Sequence, residues 1–371
     1  MSEAAQESAA DHPAALQALI EQVRAARADH TALNITGGST KAFYGEPAQG
    51  QALDMRKLSG ISSYEPTELV VTVRAGTPLA ALEAALAEKG QCLPFEPPRF
   101  APGGTVGGMV AAGLSGPPRP AVGGLRDHVL GVTLLNGRAQ VLSFGGQVMK
   151  NVAGYDVSRL LPGSLGVLGV VCEVSLKVLP VAPATATLRF EVPEDYALKR
   201  LQDWGAQPLP INASAWWDGM LVLRLSGAHA AVDAARAKLG GELVEPAMAA
   251  PFWTGLRDQC DEFFQAAHQA VGQGATLWRL SLPLTAPVLD LPGEHLLEWG
   301  GAQRWVVTST PAAAMRAMAE QVGGHATAFA GQKTGGVFTA LSPPQARVHQ
   351  ALKLAFDPDR VFNPGRLYPG I

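Results

Sequence analysis

The sequence predicts an α+β fold in two parts. Segments with helical spacing of apolar residues alternate along the chain with short β-branched segments. Glycine clusters crowd the first part and thin out beyond "LPVAPATAT" at 179–187. The chain is 371 residues long, 47% hydrophobic and only 16% charged, which suits two domains with sizeable cores and excludes wholesale disorder.

In order, "AALQALIEQVRAARA" (14–28) has helical spacing, and "TALNITGG" (31–38) is a strand ending in a glycine turn. "ELVVTVRAG" (68–76) is a strand. "TPLAALEAALAEKG" (77–90) is a helix, with Thr77 as cap, Pro78 at its first position and Gly90 as stop. "HVLGVTLLNGRAQVLSF" (128–144) predicts two strands joined at Asn136-Gly137, and "VLGVVCEVSLKVLP" (167–180) a long strand ended by Pro180. Beyond the boundary, strands at "TLRFEV", "MLVLRLSG", "LWRLSLP" and "QRWVVT" alternate with helices at "DYALKRLQDW", "AAVDAARAKLG" and "AAAMRAMAEQV". This pattern predicts an antiparallel sheet. A helix and a Pro/Gly tail close the chain.

The net charge is −3 and there is no Lys/Arg run, which argues against nucleic acid or anionic lipid as partner. Cys92, Cys172 and Cys260 lie far apart with no C-x-x-C, so no iron–sulfur cluster or zinc held by this chain alone is expected. Sparse cysteine and a polar, acidic N-terminus unlike a signal peptide predict a cytoplasmic protein. The best apolar run, 167–178, is interrupted by Glu173 and Lys177 and is too short to span a bilayer.

"PGGTVGGMVAAGLSGPP" (102–118) holds six glycines in 17 positions. Glycine loses more backbone freedom on folding than any other residue, so such a cluster needs a reason. A Rossmann fingerprint fails because Thr105 stands where a glycine is required, and "GQKT" (331–334) fails as a P-loop at Gln332. Two further clusters, "TGGSTKAFYG" (36–45) and "LPGSLGVLGVV" (161–171), complete a set of three. Glycine turns present backbone N–H groups to anions, and Ser39, Thr40 and Thr105 add donors. Any one cluster is accounted for by a turn. Three in order suit a long ligand with a pyrophosphate centre.

That order, with "RAGTPLAALEAALAEKGQCLPFEPP" (74–98) after the first cluster and "GGLRDHVLGVTLLNG" (123–137) after the second, resembles the flavin-binding domain of the vanillyl-alcohol oxidase (PCMH) family over about residues 15 to 180. The tail "FDPDRVFNPGRLYPG" is similar to the D-P-x-x-x-x-N-P-G that closes many members. "GGQVMKNVAGYDVSRL" (145–160) and the short second part most resemble the E-type subunits of bacterial glycolate oxidases within it. The resemblance implies FAD. Thr36, Gly37, Gly38, Ser39, Thr40 and Lys41 would match the first pyrophosphate loop. Pro102, Gly103, Gly104, Thr105, Gly107 and Gly108 would match the second loop and the start of its helix, whose N-terminus favours phosphate. Gly113, Ser115 and Gly116 would lie near the flavin ring. Asp127, His128, Gly163, Ser164, Gly166, Val167 and Leu168 would complete the pocket. The glycines would then admit the cofactor close to the backbone, where a Cβ would collide with it.

Departures from the family shape the expectation. Many relatives attach flavin through a first-loop histidine. Ser39 and Thr40 stand there, so non-covalent FAD is expected. The H-x-G-D-G-N stretch of relatives that oxidise 2-hydroxy acids is absent, and His229, His268, His295 and His325 are scattered, so no metal site is expected. Substrate oxidation needs a base, and none is assigned. His128 beside Asp127 is the nearest candidate, with a pocket-wall role as its alternative. Arg99 and Arg126 can hold a carboxylate or pair with nearby acids. Tyr155 and Asp156 touch flavin, a partner or neither, and Trp216 and Trp217 pack the second part or stack on a cofactor.

The resemblance therefore implies a PCMH-type FAD-binding domain of two α+β subdomains (1–180), a cap with an antiparallel sheet (181–342), and a segment returning to the first domain (343–371). It implies an FAD-binding subunit of a glycolate oxidase or dehydrogenase, acting on a small 2-hydroxy acid. Electrons would pass through FAD to an iron–sulfur subunit, beside a sister FAD subunit. Placement at the inner face of the cell membrane would come through those partners. A stand-alone flavin oxidase of a small alcohol or hydroxy acid and a flavin-free assembly subunit remain as alternatives. Bulky residues at Gly104 or Gly107 are expected to abolish flavin binding.

Overall fold

A computed structural model describes residues 3–146 and 156–371. The chain divides into two compact units: Met1–Leu114 with Gly124–Pro180 and Ala340–Ile371, and Ser115–Gly123 with Val181–Thr339.

In the first unit, α1 (Glu3–Ala28) turns Leu19, Val23 and Ala26 into the core, the three- and four-residue spacing of one helical face. β1 (Leu33–Thr36) pairs in parallel with β2 (Gln51–Asp54). There follow β3 (Ile61–Glu65), β4 (Val70–Arg74), α2 (Leu79–Ala87), β5 (Gln91–Cys92) and α3 (Val106–Ala112). After the four-residue α4 (Arg119–Val122) come α5 (Leu125–His128), β6 (Val129–Leu135), β7 (Val141–Gly145), β8 (Val170–Lys177) and β9 (Leu179–Pro180). Five strands form an antiparallel sheet in the order β3-β4-β8-β6-β7. The central β8 is buried along most of its length, as its apolar run requires, whereas the edge strand β7 alternates between exposed and half-buried residues.

Two local expectations are corrected. Thr77 does not cap α2: its hydroxyl accepts from Gly60 N at 2.9 Å and lies 3.2 Å from Gly60 O, and Pro78 occupies the cap position. Asn136-Gly137 does not form a two-residue hairpin. The loop runs over 136–140, and Asn136 Oδ1 accepts from the backbone of Arg138 and Gln140 at 2.9 and 3.0 Å. Gly137 is needed for a different reason, because a Cβ there would stand 2.3 Å from Asp357 Oδ1.

The second unit is built on an eight-stranded sheet of antiparallel pairs. Its elements are β10 (Ala184–Glu191), α6 (Glu194–Gly205), β11 (Ile211–Trp217), β12 (Met220–Gly227), α7 (His229–Leu239) and β13 (Glu242–Val244). Then follow α8 (Pro246–Asp258), α9 (Glu262–Gly272), β14 (Thr276–Ser281), β15 (His295–Glu298), β16 (Gln303–Thr308), α10 (Ala312–Gln321) and β17 (His325–Gly331). The strand order is β13-β10-β12-β11-β15-β16-β14-β17. Residues 115–123, early in the chain, belong to this unit: Trp299 Nε1 donates to Gly116 O at 3.1 Å, and the Arg119 guanidinium lies 4.7 Å from the Trp299 ring centre.

The chain then returns to the first unit through α11 (Pro343–Phe356), opened by Ser342, whose backbone N–H donates to Gln345 Oε1 at 3.0 Å. Among the described residues no helix is long and apolar enough to cross a membrane.

Candidate cofactor site

A cleft open to solvent lies within the first unit. One wall is the turn after β1, from Thr36 to Lys41. A second is Thr105, Gly107 and Gly108 at the start of α3, and a third is Ser164, Leu165 and Gly166 before β8. The three glycine loops, far apart in sequence, therefore meet at one place.

Many of the glycines there serve protein contacts. A Cβ on Gly37 would stand 2.4 Å from Thr105 Oγ1, and one on Gly113 would stand 2.5 Å from Gly163 N. A Cβ on Gly107 would fall 2.8 Å from Ala75 Cβ and 3.0 Å from Ala75 O. Such separations are below van der Waals contact, so these positions admit no side chain because the loops press on one another. Gly108 differs. Its Cβ would meet only Thr105 Oγ1, at 3.3 Å, and Gly108 lines the cleft. Thr105 caps α3 by accepting from Gly108 N at 3.2 Å.

Ser39, Thr40, Thr105 and Ser164 bring hydroxyls to the lining, and Lys41 and Arg366 bring cations. Ile35, Met55, Ala75, Ala111, Ala112 and Val171 make an apolar wall. Among the described residues of the lining there is no Asp, Glu, His, Cys or Tyr. The surface thus offers donors and positive charge to an anion and a flat apolar wall to a ring. Among its described residues it offers no carboxylate to repel phosphate. This donor set fits a dinucleotide such as FAD.

Of the residues singled out in sequence, Thr36, Gly37, Gly38, Ser39, Thr40, Lys41, Thr105, Gly107, Gly108, Ser164 and Gly166 line the cleft. Pro102, Gly103, Gly104, Gly113, Gly163, Val167 and Leu168 lie outside the lining. Val167 and Leu168 are core residues. Ser115 and Gly116 belong to the second unit. Asp127 accepts from Gly124 N at 2.8 Å and caps α5, and His128 is buried 5.4 Å from the Phe95 ring. Arg99 pairs with Glu83 at 2.5 Å. Tyr155 and most of 145–160 lie outside the described residues. Trp216 packs among buried apolar residues and donates to Val192 O at 2.9 Å.

Sequence reasoning missed Asn363 and Arg366. Asn363 Oδ1 accepts from Ile35 N at 2.8 Å and its Nδ2 donates to Leu165 O at 2.6 Å. Arg366 donates to Ala42 O and Tyr44 O, both at 2.7 Å, and to Glu46 O. Burial lowers the Arg366 pKa from its usual value. The signal was present in the tail motif "NPGR", but nothing local says which loops it meets.

Behind the tail lies a buried ion pair. Lys353 Nζ is 2.7 Å from Asp357 Oδ2 and 2.8 Å from both Val167 O and Phe362 O. These acceptors use all three ammonium donors. The Asp357 carboxylate also accepts from Val361 N and Phe362 N at 3.0 and 2.8 Å. Burial lowers the Lys353 pKa, which the nearby Asp357 carboxylate opposes.

Residues 8–145 match the model of a family described as FAD binding domain, a span that includes the first two glycine loops. Over 352 residues the chain is 49% identical to glycolate oxidase subunit GlcE of Escherichia coli (strain K12), covering 95% of this chain and 97% of that protein. The chain belongs to the GlcE family. Its FAD-binding domain makes this GlcE-family chain an FAD-dependent oxidoreductase component. More distant relatives include glycolate oxidase subunit GlcD of Bacillus subtilis (strain 168), 30% identical over 38% of this chain and 29% of that protein. The mitochondrial D-lactate dehydrogenase [cytochrome] of Arabidopsis thaliana is 30% identical over 41% of this chain and 26% of that protein. Among solved structures, alkyldihydroxyacetonephosphate synthase shares the fold with a TM-score of 0.64, covering 93% of this chain and 74% of that chain at 14% identity. The PCMH-type α+β fold and the FAD cofactor implied by the sequence therefore hold for this GlcE-family chain.

Proposed function

We propose that this chain is the FAD-bearing E-type subunit of a glycolate oxidase assembly that converts glycolate to glyoxylate, with FAD held non-covalently in the cleft. The similarity to GlcE along nearly its whole length carries the reading, and the meeting of three glycine loops at one cleft supports it. When bound, FAD supplies the two-electron redox capacity that oxidation of a 2-hydroxy acid needs.

The chain's own residues bind and orient. Backbone N–H groups and hydroxyls of the loops at 36–41 and 105–108 would hold the pyrophosphate, and Lys41 would balance its charge. The apolar residues Ile35, Met55, Ala75 and Val171 would exclude water from the ring. No His, Cys or Tyr among the described lining residues is placed to attach a flavin, which supports non-covalent binding. Among the described lining residues there is no carboxylate, imidazole, thiol or phenol to take the substrate's hydroxyl proton, and the proposal places that base elsewhere in the assembly. A partner subunit is the natural source, and an iron–sulfur partner is the onward electron carrier.

The test is the chain expressed alone and with its partner subunits. The yellow compound released by acid identifies the cofactor, and anaerobic bleaching by glycolate reports turnover. FAD in both samples with bleaching only in the assembly supports the subunit reading. Bleaching of the chain alone supports the stand-alone oxidase.

A further inference from the structure

The third cleft loop is held in an unfavourable conformation. Leu165 has φ of +51°, a region that non-glycine residues rarely enter. Its N–H donates to Ala111 O at 2.9 Å and its carbonyl accepts from Asn363 Nδ2 at 2.6 Å. The opposite end of the same amide receives Ile35 N, on β1. One side chain thus ties the strand that leads into the first glycine loop to the strained residue of the third. Gly166 makes room for it, since a Cβ there would stand 2.8 Å from Asn363 Nδ2. The tail is fixed on both sides of this contact: Leu33 N donates to Val361 O at 2.7 Å, Asn363 N donates to Leu33 O at 2.9 Å, and Lys353 joins Val167 O to Phe362 O.

Resting on the reading that FAD occupies the cleft, we propose that Asn363 is a positioning residue for the cofactor, a latch that sets the separation of the β1 and 164–166 walls through Ile35 N and Leu165 O. The Lys353–Asp357 pair holds the tail in register so that the latch can act. Ordering these loops before binding lowers the conformational cost at the moment of binding, so the latch governs how long the cofactor stays.

The experiment uses the full chain loaded with FAD and follows the fluorescence of released FAD after dilution. Asn363 has φ of +40°, which glycine tolerates, so Asn363→Gly removes both side-chain bonds and keeps the backbone. The expected result is release faster by about tenfold or more, the scale of two lost hydrogen bonds. The melting point of the flavin-free protein should also fall, since Ile35 N and Leu165 O each lose a partner. The deciding readout is therefore the visible circular dichroism of the flavin that remains bound, which should change and which a loss of stability alone would not move. Asn363→Asp keeps the acceptor for Ile35 N and loses the donor to Leu165 O, and should also release FAD faster. Release within twofold of wild type in both variants overturns the latch. Gly108→Val separates this from the parent reading. If that variant holds FAD normally, or if the wild-type chain takes up no added FAD, the cleft is not the site. If it loses FAD while the Asn363 variants do not, the latch alone falls.

Discussion

A Cβ on Gly38 would stand 1.7 Å from the carbonyl oxygen of Gly103. The first glycine loop is therefore built onto the second, backbone against backbone. Gly103 has φ of +87°, but no heavy atom lies within 4 Å of where its own Cβ would be. Gly38→Ala is expected to destabilise the chain by about 3 kcal/mol or more through overpacking. Gly103→Ala should cost on the order of 1–2 kcal/mol through backbone strain alone. Urea unfolding of both variants checks the order, and equal losses would contradict it.

Gly107 and Gly108 are neighbours on α3 with different tasks. Gly107→Val collides with Ala75 and should lower stability and flavin content together. Gly108→Val should leave the melting point of the flavin-free protein within a few degrees of wild type and remove flavin. The two are told apart by melting point and by the ratio of visible flavin absorbance to ultraviolet protein absorbance.

Lys353 sits with Asp357 where water does not reach, at 1% and 0% side-chain exposure. Lys353→Met leaves a buried carboxylate without its cation, a change expected to cost about 3–5 kcal/mol. Denaturant unfolding measures it. A loss under about 1 kcal/mol would mean that the backbone N–H groups of Val361 and Phe362 satisfy Asp357 unaided.

In the second unit, Glu298 is wholly enclosed, and burial pushes its pKa from 4.5 up to about 7 against the hydrogen bonds from Trp305 and Gln303. The folded chain then keeps a proton that the unfolded chain has lost. Stability contributed by this group falls as pH rises from about 4.5 to about 7 and then levels. Glu298→Gln should remove that slope, gaining roughly 3 kcal/mol on wild type at pH 8 relative to pH 4. Parallel slopes for the two proteins would sink the expectation.

His295 has the opposite origin. Its hydrogen bond to Glu194, at 3.0 Å, raises its pKa above 6.5, and burial opposes the rise. The contribution is fully present below 6.5 and is lost as pH rises through the raised folded value. The stability gap between wild type and His295→Gln should therefore shrink with rising pH across that window. An unchanging gap would show that the imidazole charge has no part in it.

The strongly patterned elements were legible in the sequence. β4, β6 and β8 are β-branched runs, and α2 combines a proline start with leucines at helical spacing. The three glycine loops were legible as a set because only a shared purpose explains their order. Other features were not. β11 and β17 carry alanines where alternation would show, so their place in the sheet rests on partners far away. Thr77 looks like a cap until Gly60 is beside it. Asn363 stands 328 residues from Ile35 and 198 from Leu165, Arg366 stands 324 from Ala42, and only the folded chain brings them together. The glycines themselves were half understood: those at 37, 38 and 107 make room for protein rather than for ligand.

The cleft draws its walls from residues near 36, 105, 165 and 363. A ribosome releases these stretches in that order, so the pocket lacks its last wall until synthesis has passed Asn363 and Arg366. A nascent chain halted after Pro180 would display all three glycine loops and yet lack the amide that joins two of them. On the proposed reading that FAD fills this cleft, its loading would await the tail.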